Sequence, residues 1–128
     1  MDLTDNPLMK TTVLLLVSDP LVRTVMEESI SRVGYTVVST GDLGGAVARL
    51  SELTPDLLIT RTYVQGMTGH DAAKYLRTKV PGMKVLLVGG LMDDDRLHYR
   101  ESVAGFNVFP RPYTAQDLLD KIKSVLGE

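Results

Sequence analysis

Three stretches of the sequence are short, apolar and uninterrupted: 13–17 (VLLLV), 56–60 (DLLIT) and 84–88 (KVLLV). A strand with one wet face alternates apolar and polar residues, whereas an unbroken run belongs to a strand covered on both faces, as in a parallel sheet. Parallel neighbours need crossover connections, so helices must lie between these strands. The sequence supplies them. Val22, Val25, Met26, Ser29, Ile30 and Val33 share one helical face, as do Leu43, Ala46, Val47 and Leu50, then Ala72, Ala73, Leu76 and Val80, and finally Leu118, Leu119, Ile122, Val125 and Leu126. A fifth segment, 93–104, has a thinner stripe of Leu97, Val103 and Ala104, and weaker strands are expected at 36–38 (TVV) and 107–109 (NVF). Gly34, Gly105 and Pro81-Gly82 fall where helices should stop. The pattern is five strand-then-helix units, which right-handed crossovers fold into a three-layer α/β/α sandwich.

The chain has 128 residues, 44% of them hydrophobic, enough for one domain with a substantial core. Residues 1–10 read as an N-terminal extension and 11–128 as the domain. Charged residues are interspersed and the net charge is −2, so no basic face for nucleic acid or a membrane is expected. The absence of cysteine removes disulfides and thiolate chemistry. No run approaches the ~20 apolar residues of a membrane span, and the first ten residues lack the form of a signal peptide. A cytoplasmic location is the expectation.

In doubly wound sheets, function gathers at the carboxyl ends of the strands. Here those ends are VSDP (17–20), TRTYVQG (60–66), VGGL (88–91) and PRPY (110–113). At these four places, and over about residues 11–126, the sequence resembles the receiver domain of two-component response regulators. PDLLITR followed by QGMTGHDAAKYLR is similar to the family's third strand, loop and third helix, and RPY followed by TAQDLLDKIKSVL is similar to its Lys-Pro-aromatic turn and last helix. The resemblance implies a flavodoxin-like five-stranded parallel sheet in the order 2-1-3-4-5, with two helices on one face and three on the other. It also implies a phosphorelay chemistry in which a histidine kinase passes a phosphoryl group to the aspartate ending the third strand, assisted by Mg²⁺ on an acidic pair after the first.

The residues of that chemistry are mostly absent. On the family's pattern Arg61 falls where the acceptor aspartate belongs, Ser18 replaces one member of the acidic pair and leaves Asp19, and Gly89 replaces a hydroxyl residue. Arg111 stands for the lysine, keeping charge but not shape, and Val108 occupies an aromatic switch position. Mg²⁺ seeks several oxygen ligands, and one carboxylate beside a guanidinium is a poor offer, so no cofactor is expected. The expectation is a receiver-like domain that is not an enzyme and acts without phosphorylation on signalling proteins or on other domains of a longer chain, including a weak homodimer through the fourth and fifth helices. The alternative is a receiver accepting phosphoryl on a non-standard residue.

Simpler readings stand beside these. Arg61 can be a surface arginine at a strand end, although its place favours the pocket and a contact with Asp19. Asp19 with Pro20 also suits a helix N-cap. Thr60 is one residue out of phase for an acceptor, since successive strand side chains face opposite ways. Gly89-Gly90 reads as a tight turn, because Asp93, Asp94 and Asp95 open the next helix and disfavour an anion. His70 and His98 read as surface residues, and no nucleophile and base pair suggests a small hydrolase.

Overall fold

A computed structural model describes residues 11–88, 106–109 and 114–127. Its main sheet has five strands: β1 (Thr12–Leu16), β2 (Thr36–Thr40), β3 (Leu57–Arg61), β6 (Lys84–Val88) and β7 (Phe106–Phe109). They run in the order β2-β1-β3-β6-β7, and every neighbouring pair is parallel. This is the 2-1-3-4-5 order, with a short ribbon adding two labels in sequence. Four helices are described: α1 (Pro20–Arg32), α2 (Leu43–Leu50), α3 (Gly69–Lys79) and α4 (Ala115–Leu126). The extension at 1–10, the segment expected as a helix at 93–104, and Gly89, His98 and Arg111 lie outside the described residues.

The unbroken apolar runs are explained by two cores, one on each face of the sheet. Val13, Leu15, Val17, Leu57, Ile59, Leu86 and Val88 pack under Met26 and Ile30 of α1 and Leu118, Ile122 and Val125 of α4. The intervening Leu14, Leu16, Leu58, Val85 and Leu87 pack under Ala46 of α2 and Ala72, Ala73 and Leu76 of α3. Each fully buried leucine contributes roughly 1.5–3 kcal/mol. The two-residue alternation also fixes directions at the strand ends: Arg61 follows Leu57 and Ile59 onto the α1 and α4 face, whereas Thr60 follows Leu58 onto the other.

Two expectations need correcting. Val25, placed on the buried face of α1, is 55% exposed. The buried line is Val22, Met26, Ile30 and Val33, and Val25 precedes Met26 by one residue, hence by about 100° of rotation. His70, read as a surface residue, is 4% exposed, because the second residue of α3 turns inward and packs edge-to-face with the Phe106 ring, their centroids 5.3 Å apart.

Candidate functional site

The carboxyl ends of β1 and β3 are adjacent strands, paired from Val13 with Leu57 to Leu16 with Thr60. Ser18, Asp19 and Arg61 therefore stand together at one edge of the sheet. Asp19 is the N-cap of α1: its Oδ1 accepts the amide N–H groups of Leu21 at 2.9 Å and Val22 at 3.2 Å, and Pro20 follows at the first helical position, where a missing N–H does no harm. Ser18 ties two loops together, its hydroxyl accepting the Gln65 N–H at 3.0 Å from the loop that follows β3.

That loop is a small antiparallel ribbon of β4 (Tyr63–Val64) and β5 (Met67–Thr68), with Tyr63 paired to Thr68 and Val64 to Met67. Gln65 and Gly66 make the turn, and Gly66 takes a left-handed φ of 79°, which a side chain would resist. Thr68 then caps α3 by accepting the Asp71 N–H at 3.0 Å. Gly69 passes so close to the Arg61 carbonyl that a Cβ there would collide with its oxygen. The chain also closes on itself here, through the Gly69 N–H donating to Thr62 O at 2.8 Å. The glycines of the QGMTG stretch are thus explained by backbone geometry, without reference to any reaction.

Arg61 ends β3 opposite Val88 and is half-buried. The expected contact with Asp19 is not formed. Among the described residues the one ion pair is Arg49 with Glu52 at 3.9 Å, on the exposed side of α2. The Asp19 Oδ1 is committed to the start of α1 instead. Thr60, the phase-shifted hydroxyl, is fully buried on the opposite face, with its methyl group toward Gly69.

A residue missed in the sequence does occupy this edge. Arg23 folds back from α1 and donates from Nη1 to the Val17 carbonyl at 2.7 Å, with a weaker approach to Ser18 O at 3.5 Å. Gly41, after β2, leaves room for the same guanidinium, since a Cβ there would come within 2.7 Å of Nη1. The available signal was an arginine near the positive end of a helix, where the macrodipole disfavours it. The edge is therefore built from two guanidinium groups, one carboxylate used as a cap, and one hydroxyl used as a tie.

Comparison with known proteins gives a consistent result. A family model described as the response regulator receiver domain matches residues 13–123. Among curated relatives, the probable transcriptional regulatory protein TcrX of Mycobacterium tuberculosis is 23% identical over 118 residues, covering 90% of this chain and 49% of the relative. Response regulator protein VraR of Staphylococcus aureus is 30% identical over 89 residues, covering 68% of this chain and 42% of the relative. The chain thus spans less than half the length of either relative. Among solved structures, chemotaxis response regulator CheY4 of Vibrio cholerae superposes with a TM-score of 0.77 at 19% identity, covering 90% of this chain and 98% of that one. The signal receiver domain of an HD domain-containing protein from Pseudomonas fluorescens gives 0.79 at 19% identity, with 91% and 87% covered.

Proposed function

The chain belongs to the response regulator receiver domain family, and we propose that within it this is a receiver without aspartyl phosphorylation, working as a protein-interaction module. The observation that carries the reading is the residue ending β3. A phosphoryl acceptor must be a nucleophile whose phosphorylated form has its charge compensated, and Arg61 is a permanent cation with no lone pair to offer. The buried Thr60 is a poor substitute, facing the α2 and α3 core rather than the strand ends.

The residues present also do not fit the Mg²⁺ that the family implies. A magnesium site wants near-octahedral oxygen ligands. Asp19 has one oxygen committed to α1, the Ser18 hydroxyl is engaged by Gln65, and the Arg23 guanidinium lies on the Val17 carbonyl. No step of the proposed function runs through a metal. At the described part of the degenerate pocket, where Ser18 and Asp19 stand beside Arg61, the contacts of Ser18 with Gln65, Asp19 with α1 and Arg23 with Val17 act as a fixed joint that holds one conformation.

Partners are signalling proteins or other domains of a longer chain, in a cytoplasmic setting, met through the surface of the final helix as a weak hetero-contact or homodimer. The exposed side of α4 carries Gln116, Asp117, Asp120 and Lys123, a mixed-charge surface suited to specific but weak docking. No described helix is long and apolar enough to cross a membrane.

The direct test is incubation with acetyl phosphate and Mg²⁺, read by intact mass and by amide NMR with and without beryllofluoride. The expected result is no mass gain and no saturable shifts. Stoichiometric acid-labile phosphorylation would overturn the reading, because it requires an acceptor that Arg61 is not.

A further inference from the structure

β2 ends the sheet, with β1 on one side only. The ladder fixes which backbone groups are spent. The Thr36 N–H donates to Thr11 O at 3.0 Å, and Thr40 O accepts the Val17 N–H at 3.1 Å. Because the groups of successive strand residues point alternately to the two sides, those of Thr36, Val38 and Thr40 face β1, and those of Val37 and Ser39 face outward. None of the loop backbone bonds among the described residues reaches these outward groups.

Exposed edges of this kind are normally blunted by a lysine, a proline or a bulge. Residues 36–40 read TVVST, with neither charge nor proline, four of the five β-branched, and an unbroken register against β1. The Glu27 carboxylate lies against the α1 face of the strand, where its Oε1 accepts the Ser39 hydroxyl at 2.7 Å.

We propose that a second copy of this chain pairs antiparallel along β2, about a two-fold axis through Val38, to give a continuous sheet across two molecules. The strand itself selects that occupant. An isologous contact needs a surface complementary to itself, and TVVST reads nearly the same in both directions: an axis at Val38 sets Thr36 opposite Thr40 and Val37 opposite Ser39 of the copy. The same axis matches the hydrogen-bond parity. Val37 and Ser39, whose groups point outward, become the hydrogen-bonded pairs, while the two Val38 residues form the close non-hydrogen-bonded pair with Cα atoms about 4.5 Å apart. An axis midway between two residues would set an outward-pointing residue opposite an inward-pointing one and lose those bonds, whereas an axis at Val37 or Ser39 would keep them but set Thr36 opposite Val38 or Val38 opposite Thr40 and lose the near-symmetry of the strand. The contact is independent of the phosphorylation reading and lies at the edge of the sheet opposite β7.

The absence of cysteine makes the register directly testable in the full chain. Val38→Cys places two thiols across the axis at a separation compatible with a disulfide. Thr36→Cys places them on the same strand but about 13 Å apart, at four residues of offset. Thr36 is the more exposed of the two positions, so random collision predicts faster linkage there. With each variant first shown to melt as a folded protein, mild oxidation should link Val38→Cys about tenfold faster or more, because paired strands raise the local thiol concentration. Sedimentation of the unaltered chain should show a concentration-dependent dimer that Ser39→Pro weakens, since proline removes an outward N–H and leaves the β1 ladder intact. Equal or reversed linkage rates, or a monomer at every concentration, would overturn the proposal.

Discussion

At position 61 the main chain and the side chain have different neighbours. The carbonyl is pressed against Gly69, with no room for a Cβ between them, whereas the guanidinium makes no ion pair with any described carboxylate. Substitutions on the two sides of this contact should therefore behave differently. Gly69→Ala should lower unfolding free energy in urea by about 2 kcal/mol or more, as an overpacked site against backbone does. Arg61→Asp should change it by less than about 1 kcal/mol, as substitutions away from packed contacts do. It should also gain weak Mg²⁺ binding, seen as saturable amide shifts, because a second carboxylate then faces the edge beside Asp19. Asp19→Ala should lose about 1 kcal/mol with the cap. Arg61 and Asp19 were legible in the sequence as neighbours at one edge, because strand ends and strand order locate them. Their failure to pair was not legible. It depends on where the Asp19 oxygens are spent, and the helix start takes one of them.

Elements show in the sequence with unequal clarity, for physical reasons. β1, β3 and β6 announce themselves because burial on both faces demands unbroken apolar runs, and observed bounds differ from expected ones by a residue or less. The β4–β5 ribbon was unreadable, since two residues per strand are too few for any periodicity. Only Gly66 hinted at its turn. The α1 face is ambiguous in the sequence at Val25 because apolar residues also occur beside its buried line. Helix α4 was plain, and its start is a capping box: the Thr114 hydroxyl accepts the Asp117 N–H at 3.0 Å, and the Asp117 carboxylate accepts the Thr114 N–H at 3.0 Å. Thr114→Ala should cost about 1 kcal/mol in the same denaturation assay, and Thr114→Ser much less.

Over the whole molecule, β3 is the shared wall of the two cores. Leu58 lies in one and Ile59 in the other, both fully buried. Leu58→Ala and Ile59→Ala should each lower stability by about 2–5 kcal/mol, and both should shift one and the same thermal transition, because neither helical layer has a sheet of its own to fall back on. Separate transitions for the two variants, followed by tryptophan probes introduced on α2 and α4, would contradict that coupling. The tight passage at Gly69 has a different kind of consequence. It senses the backbone of residue 61 and not its side chain, so selection for a folded protein leaves that side chain unguarded. Side chains of either charge can therefore stand at position 61 without passing through an unfolded protein, and the loop that follows is kept in its path by steric necessity alone.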